Sequence, residues 1–207
     1  MTITLFHHPH SRAAGTLWQL EEVGVPYDLR FVDMLAGEHK TDGLLSLNPM
    51  GKLPILRDDD VVVTEGAAIG MYLADRYAPG RLAPALDDPR RGTYLSWICF
   101  APAVIEPAVA AKAGGWDYRP SSAGWGAHDS VLDSIERALE GGEFVLGDQF
   151  SMADVVFGGT VRFLMGVGAL EPRPAFRAYA ERLAARPALA RADAINARVV
   201  EERGLKA

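Results

Sequence analysis

Features that define several large protein classes are scarce in this sequence. It contains one cysteine, Cys99, among 207 residues, so no intrachain disulfide can form. Its 21 Lys and Arg against 27 Asp and Glu give a net charge of −6, which argues against a nucleic-acid surface built from clustered cations. No stretch approaches the roughly 20 apolar residues of a membrane span, and residues 1–12 lack the apolar run of a signal peptide. We therefore expect a cytoplasmic protein with neither nucleic-acid nor membrane partners.

The composition is that of an ordinary globular protein, with 49% hydrophobic and 23% charged residues. In the first 80 residues, short β-branched runs between turn residues predict strands, and apolar residues spaced three or four apart predict helices. The predicted elements are a strand at 3–6, a helix at 11–23, strands at 27–32, 55–56 and 61–63, and a helix at 64–77. A polar loop is predicted at 37–43, and the acidic triplet 58–60 is predicted to form a hairpin turn.

The remaining sequence predicts helices only. Residues 78–89, with three prolines and a glycine, are the best candidate for a linker. Beyond it, helices are predicted at 93–113, where Pro102 and Pro107 would kink or break the helix, at 130–139, and at two later places, with a loop at 114–126. Ser151 followed by Asp154 predicts a capping box at a helix start.

Two segments carry a family resemblance. Residues 48–56 read NPMGKLPIL and residues 65–77 read EGAAIGMYLADRY. Together with the early strand and turn containing Ser11 and with the capping box, they resemble the soluble glutathione transferases over nearly the whole chain, in a serine-type, theta-like form. The resemblance implies a thioredoxin-like α/β domain with a mixed four-stranded sheet at 1–80, a linker at 81–88 and an all-α domain at 89–207. It also implies a homodimer that uses glutathione as co-substrate.

The resemblance further implies that Ser11 activates the glutathione thiol. Only a few per cent of this thiol is thiolate at neutral pH, and lowering its pKa by about two units takes about 2.7 kcal/mol. The Ser11 hydroxyl can donate a hydrogen bond to the sulfur, aided by the N-terminus of the following helix. Ser11 equally fits an N-cap without chemistry, and Arg12 is the alternative activator because the alignment of the classes can slip by one residue.

The glycine and cysteinyl parts of glutathione have expected partners on the same resemblance. The glycine carboxylate is expected on Lys52, His39 and Lys40, as in theta-like members, with a solvated loop as the alternative for the last two. The family proline corresponding to Pro54 is cis, and it turns the backbone of Leu53 outward to pair with the cysteinyl backbone like an added strand.

The γ-glutamyl part is expected at the start of the helix predicted at 64–77. Glu65 suits its α-amino group, and the backbone amides near Gly66 suit its carboxylate. Gly66 stands where the family has a serine whose hydroxyl binds that carboxylate. Loss of this charge-assisted hydrogen bond predicts an affinity lower by roughly ten- to hundredfold. The alternatives are that the loss is compensated elsewhere or that the site takes another thiol or ligand.

A second-substrate site is expected between the domains, near the sulfur. Its expected residues are His8 and His10, with His7 beside them, on the N-terminal side and Phe100, Val104 and Trp116 on the helical side. A metal site at the three histidines is disfavoured because their side chains alternate in direction along an extended backbone. Cys99, within an apolar helix, is expected in the core.

Two functions compete at this point. In the first, the protein is an enzyme that transfers glutathione to an electrophilic, hydrophobic small molecule, which Glu65, Lys52 and Pro54 favour. In the second, it is a non-catalytic binding or interaction module of the same fold, which Gly66 and the capping alternative for Ser11 favour. Conjugation, dehalogenation, ether cleavage and peroxide reduction all stay open, because apolar pockets discriminate weakly between substrates.

Overall fold

A computed structural model describes residues 2–206, and the chain forms two compact units. The first unit joins Met1–Tyr77 to Arg186–Ala207, and the second unit is Ala78–Ala185. The last helix of the chain therefore packs with the unit that contains the sheet, although we assigned all of 89–207 to the helical domain. The domain limits at residues 80 and 89 stay a prediction.

The first unit is built on a mixed four-stranded sheet, as predicted. Its strands are β1 (Ile3–His7), β2 (Tyr27–Phe31), β3 (Ile55–Asp58) and β4 (Val61–Thr64), in the order β2-β1-β3-β4. β1 runs parallel to β2 and antiparallel to β3, while β3 and β4 form a hairpin. β1 lies inside the sheet and is buried along its whole length. β2 lies at one edge of the sheet, and its residues alternate between half-buried and exposed.

The hairpin turn is shorter than predicted. Asp58 is buried within β3, where it accepts hydrogen bonds from the hydroxyls of Tyr72 (2.7 Å) and Tyr77. Asp59, with a φ of 50°, and Asp60 form the turn. The first aspartate of the triplet therefore joins the sheet to the following helix instead of turning the chain.

Helices make up most of the remaining described structure. In chain order they are α1 (Ala13–Val23), α2 (Asp42–Leu45), α3 (Gly66–Tyr77), α4 (Arg91–Phe100), α5 (Glu106–Ala113), α6 (His128–Glu140), α7 (Gly159–Gly166), α8 (Pro174–Ala184) and α9 (Pro187–Arg203). The predicted loop at 37–43 is wrong in part, because it contains a 3₁₀ turn at Glu38–Lys40 and the start of α2.

Within the first unit, polar contacts hold α9 and the residue before it against α1 and β1. Arg186 donates from Nε and Nη2 to the two carboxylate oxygens of Glu22, at 2.6 and 2.8 Å. Glu22 is buried on α1, so this bidentate pair is shielded from water. At the other end of α1, Nε2 of the buried His7 lies 2.7 Å from Asn196 Oδ1. α9 therefore runs along α1 toward the end of β1.

The second unit is helical, as predicted. The helix expected at 93–113 consists of α4, a π-helical turn at Ala101–Ile105, and α5, with Pro102 and Pro107 near the starts of the latter two segments. Among residues 2–206, Arg91–Ala113 is long and apolar enough to cross a membrane, with a mean hydropathy of 1.4 over an 18-residue stretch within it, contrary to our expectation that no stretch would be. Length and composition alone are weak evidence, since core helices of soluble proteins meet the same criterion.

The capping box at Ser151 is confirmed, at the start of a helical run made of residues 152–153, a π-helical turn at Asp154–Gly158 and α7. The Ser151 N–H donates to Asp154 Oδ2 (2.8 Å), and the Ala153 N–H donates to Ser151 Oγ (3.2 Å). Asp154 Oδ1 also accepts from the Val145 N–H (3.0 Å) and from the Tyr179 hydroxyl (2.8 Å). Burial raises the pKa of the Asp154 carboxyl. This carboxyl therefore joins a helix start, a loop and α8 inside the second unit.

Candidate active site

A cavity of about 210 Å³ lies on the first unit beside the start of α1. It is lined by Ser11, Arg12, Met34, His39, Gly51, Lys52 and Leu53. These residues come from the turn after β1, from the stretch after β2 and from the segment before β3. None of them is acidic, and Arg12 and Lys52 are cations, so the cavity suits a ligand with negative charge.

Ser11 precedes α1 with its hydroxyl already hydrogen-bonded. Its Oγ donates to the His8 carbonyl (2.8 Å) and accepts from the Ala13 N–H (3.1 Å). The Ser11 N–H donates to the same His8 carbonyl (3.0 Å). The hydroxyl therefore makes the capping contact considered for Ser11, while its side chain lies half-buried on the cavity wall.

Lys40 lies beside the cavity and does not line it. Its Nζ donates to the Met50 carbonyl (2.9 Å). Gly51 has a φ of +57°, and a Cβ built there would lie 2.7 Å from Lys40 Nζ and 3.0 Å from the His39 carbonyl oxygen. Only glycine therefore fits this position without displacing its neighbours.

Asn48 shapes the segment that carries Lys52 and Leu53. Its Nδ2 donates to the Lys52 carbonyl (3.0 Å), and its Oδ1 accepts from the Met50 N–H (3.1 Å). The Leu53–Pro54 peptide bond is cis, as the resemblance implied. Because Asn48 is buried while Lys52 is exposed, the backbone is held from inside and the ammonium stays accessible at the cavity.

Glu65 and Gly66 lie at the start of α3 and do not line this cavity. Glu65 is exposed and has a φ of 66°, a left-handed conformation that costs a non-glycine residue about 1–2 kcal/mol. The Gly66 carbonyl accepts from Gln19 Nε2 (2.9 Å). A Cβ built on Gly66 has Thr16 Oγ1 as its nearest neighbour, at 3.8 Å, so packing leaves room for a side chain here.

Comparison with known proteins identifies the family to which this arrangement belongs. Residues 1–75 match the glutathione S-transferase N-terminal domain, and residues 109–182 match the glutathione S-transferase C-terminal domain. A glutathione S-transferase from Nicotiana tabacum is 30% identical over 183 residues, which cover 82% of this chain and 86% of the tobacco protein. The chain belongs to the glutathione S-transferase family.

Solved glutathione transferases share the fold. One from Phanerochaete chrysosporium, in complex with oxidized glutathione, is 27% identical and has a TM-score of 0.80, covering 95% of this chain and 97% of its own. One from Burkholderia graminis, with two glutathione molecules bound per subunit, is 28% identical and has a TM-score of 0.76, covering 92% and 87%. The predicted fold, with a thioredoxin-like first domain and a helical second one, is therefore confirmed.

In this glutathione transferase three histidines, at the end of β1 and in the turn that follows it, lie outside the cavity lining. His7 and His8 are buried, and burial lowers the pKa of both imidazoles. His10 is exposed, and its N–H donates to His8 Nδ1 (3.1 Å). Within residues 2–206, no group of three or more His, Cys, Asp or Glu side chains could hold a metal ion. The substrate-binding role of His8 and His10 stays a prediction.

The expected second-substrate residues of the helical unit differ in exposure. Phe100 packs edge-on against Trp97, with ring centres 5.1 Å apart, Val104 is half-buried in the π-helical turn, and Trp116 is 58% exposed. Their role also stays a prediction. Cys99 is exposed, so its expected place in the core is wrong, because only part of the circumference of α4 is buried.

Met34 and Gly51 are cavity residues that the sequence reasoning did not identify. Met34 follows β2 in an irregular stretch, where no periodicity marks its direction. Gly51 did carry a signal, since a glycine directly after Asn-Pro-Met is typical of a turn that needs a positive φ.

Proposed function

We propose that this glutathione transferase binds glutathione in the cavity beside α1 and transfers it to a small, hydrophobic electrophile. The observation that carries this function is the convergence of Ser11, His39 and Lys52 on one cavity with no acidic lining residue. The solved relatives that contain glutathione or its oxidized form support the choice of ligand. The net negative charge of the tripeptide matches the positive lining.

Lys52 and His39 hold the glycine carboxylate. The Lys52 side chain is exposed beside the cavity, so its ammonium can reach a carboxylate without losing another partner. His39 Nδ1 is buried and has no hydrogen-bond partner among the described residues, which leaves it able to serve a bound group. Lys40 was expected to share this role, but its bond to the Met50 carbonyl favours support of the Gly51 turn instead.

The backbone of Leu53 pairs with the cysteinyl backbone of glutathione. Its side chain is buried while its residue still borders the cavity, so the main chain is the part of Leu53 that a ligand can use. Main-chain pairing of this kind adds the ligand to the protein like a short strand. It would direct the cysteinyl side chain toward the Ser11 side of the cavity.

Glu65 and the N-terminal amides of α3 hold the γ-glutamyl end. The left-handed conformation of Glu65 is the kind of local strain that is retained where it positions a functional group. Its carboxylate is exposed and suits the α-amino group, while the amides near Gly66 suit the α-carboxylate. Gly66 supplies no hydroxyl, so this end of the ligand is held less tightly than a serine would hold it.

Ser11 stabilises the thiolate by turning its hydroxyl from the His8 carbonyl to the sulfur. The carbonyl keeps the hydrogen bond from the Ser11 N–H, so the rotation leaves no buried acceptor without a partner. A neutral hydrogen bond worth about 0.5–1.5 kcal/mol is exchanged for a charge-assisted one worth about 1.5–3 kcal/mol. The guanidinium of Arg12, on the same wall, adds favourable charge and is the alternative activator.

The chemical step joins the glutathione sulfur to the electrophile. The thiolate donates an electron pair to an electrophilic carbon, and in a substitution the leaving group departs with the electrons of the broken bond. The proton lost from the thiol passes to solvent before attack. The family also supports a homodimer in the cytoplasm, which gel filtration and fractionation would examine directly.

Calorimetric titration with glutathione tests the binding site. We expect saturable binding to the wild type and a roughly tenfold weaker affinity for Lys52→Gln, because one charge-assisted contact is lost. Arg137→Gln is the matched control, since it removes one positive charge from an exposed position on α6 in the other unit. Absence of binding at millimolar glutathione would favour the non-catalytic module, and equal affinities for both variants would remove Lys52 from the site.

A further inference from the structure

The turn that presents Ser11 to the cavity is anchored on His8. The Ser11 N–H donates to the His8 carbonyl (3.0 Å), so residues 8–11 form a β-turn. Pro9 stands at the second position of this turn, which proline favours. The Ser11 Oγ donates to the same carbonyl (2.8 Å). The backbone and the hydroxyl of Ser11 are therefore both placed by His8.

The His8 imidazole makes a second hydrogen bond within this turn. The His10 N–H donates to His8 Nδ1 (3.1 Å), which is a bond between a side chain and the backbone two residues ahead. Asn and Asp commonly make this bond through Oδ1 at the first position of a turn. In this turn an imidazole nitrogen takes the place of that oxygen.

The His8 ring is enclosed by protein and does not face the ligand cavity. His8 is 4% exposed, and its ring centre lies 5.4 Å from that of Phe31 on β2 and 5.6 Å from that of His10. It is not among the residues that line the cavity beside Ser11. The ring can therefore act on a ligand in that cavity through the turn and not by contact.

The bond from His10 requires a neutral imidazole. A backbone N–H can only donate, so Nδ1 is unprotonated and the ring proton lies on Nε2. Burial, together with His10 and against the opposing charge of Asp33, lowers the pKa of His8 and keeps the ring neutral at neutral pH. Nε2 is buried without a hydrogen-bond partner among the described residues, which is unfavourable for stability. The useful group of this ring is therefore the Nδ1 acceptor.

We infer that His8 is a positioning residue for glutathione activation, whose Nδ1 holds the turn in the shape that directs the Ser11 hydroxyl toward the thiol. This inference rests on the proposed role of Ser11. When the hydroxyl leaves the His8 carbonyl for the sulfur, two bonds still hold the turn, one from the Ser11 N–H and one from the His10 N–H. Without the Nδ1 acceptor only one of them remains, so the hydroxyl spends less time at the sulfur.

Exchange of His8 for each of the two amide side chains tests this role. Asn places an acceptor oxygen where Nδ1 lies, whereas Gln, which is closer to His in size, places its amide where Nε2 lies. We expect the thiol pKa of bound glutathione to match the wild type in His8→Asn and to be higher by about 0.5–1 in His8→Gln. Turnover of His8→Gln at neutral pH should fall by roughly three- to tenfold, with glutathione affinity within about twofold of the wild type. Thiolate absorbance, steady-state kinetics and calorimetry supply the three readouts.

A double variant shows whether His8 acts through Ser11. Ser11→Ala should raise the thiol pKa, and Ser11→Ala/His8→Gln should raise it no further, because the hydroxyl to be positioned is gone. A wild-type thiol pKa in His8→Gln, an equal rise in His8→Asn, or an additive rise in the double variant would each overturn the inference. A wild-type thiol pKa in Ser11→Ala would instead reject the activating role of Ser11, and this inference with it.

The wild type alone supplies a test that depends neither on the folding of a variant nor on glutathione. NMR of the imidazole nitrogens at neutral pH should show the His8 ring proton on Nε2 and an unprotonated Nδ1. A proton on Nδ1 would exclude the bond from the His10 N–H and overturn the inference.

Discussion

Ser11 and Ser151 stand at helix starts in the two units of this glutathione transferase with nearly the same local hydrogen bonds. In each case the serine Oγ accepts from the N–H two residues ahead, Ala13 at 3.1 Å and Ala153 at 3.2 Å. Ser151 is fully buried and shares its hydroxyl with Asp154. Ser11 is half-buried on a cavity wall, and its hydroxyl donates to a carbonyl that has a second donor.

The difference between the two serines lies in their surroundings rather than in local geometry. A buried cap contributes to stability, because each hydrogen bond that is lost leaves a buried polar group with neither a protein partner nor water. When a cap is accessible and its acceptor also receives a second hydrogen bond, the hydroxyl can turn to another partner at little cost. Ser151 is therefore a structural residue, and Ser11 can be both a cap and a ligand group.

The largest expected effect is a loss of stability on removal of the Asp154 carboxylate, which accepts hydrogen bonds from Ser151. Asp154→Ala leaves the Val145 and Ser151 N–H groups and the Tyr179 hydroxyl buried without their acceptor. We expect a loss of about 3–5 kcal/mol in the free energy of unfolding and of roughly 10 °C in melting temperature. Thermal melts of the variant and of Asp148→Ala, an exposed control, measure this. A melting temperature equal to that of the control would contradict the structural role.

Gly51→Ala should damage the wall of the cavity that Ser11 borders. The new Cβ meets the His39 carbonyl oxygen at 3.0 Å and requires Lys40 to move, in a left-handed conformation that already disfavours alanine by about 1–2 kcal/mol. We expect lower stability and weaker glutathione binding. Gly37→Ala is the matched control, because φ is +78° there and nothing lies within 4 Å of the new Cβ. Equal glutathione affinity in both variants would show that the Gly51 turn does not shape the site.

Exchange of each serine for alanine tests the comparison itself. Ser11→Ala should lower turnover by roughly ten- to hundredfold, since the thiolate loses a charge-assisted hydrogen bond, with little change in glutathione affinity. Ser151→Ala should keep the turnover of the folded enzyme but lose about 1–2 kcal/mol of stability. Steady-state kinetics and urea unfolding of both variants supply the readouts. Unchanged turnover in Ser11→Ala would move the activating role to Arg12.

Gly66→Ser should add a contact to the γ-glutamyl end of glutathione, away from the thiol that Ser11 is proposed to bind. The built Cβ has 3.8 Å to its nearest neighbour, so the serine fits without strain. We expect glutathione to bind roughly tenfold more tightly, because the hydroxyl gives the γ-glutamyl carboxylate a further donor. Calorimetry compares the serine variant with Gly66→Ala, which adds the carbon but no donor. Equal affinities would mean that the carboxylate lies elsewhere.

The smallest expected effect is a pH dependence of stability that comes from His7, the last residue of β1. Burial holds the pKa of His7 below its usual value of about 6.5, so the unfolded chain binds a proton more readily than the folded one. Stability should therefore fall as pH drops below about 6.5, by at most about 2 kcal/mol for this imidazole at pH 5. His7→Gln should flatten this decline, whereas His10→Gln, at an exposed position, should not. Parallel slopes in urea unfolding at several pH values would contradict this assignment.

The fold was predictable because its signals are local. Short β-branched runs located β1 to β4, helical spacing located α1 and α3, and Ser151 with Asp154 marked a helix start. The placement of α9 was not predictable, because it depends on pairing between residues far apart in sequence, such as Glu22 with Arg186. Nothing in the local pattern of α9 indicates which unit it joins.

The candidate site was predictable only in part for the same reason. The sequence placed Ser11, His39 and Lys52 on one ligand through a family resemblance, and the structure brings them to one cavity. It did not indicate that Lys40 would turn to the Met50 carbonyl, since either direction suits an exposed lysine. The predicted burial of Cys99 was wrong for a similar reason, because an apolar helix does not reveal which side faces solvent.

Titration of the thiolate absorbance of enzyme-bound glutathione, in the wild type and in Ser11→Ala, tests the central claim most directly. If the Ser11 hydroxyl turns to the sulfur, the thiol pKa in the wild type should lie well below the ordinary value of about 8.5, and the variant should return it toward that value. A thiol pKa that is the same in both proteins would contradict the claim and leave Ser11 as a cap alone.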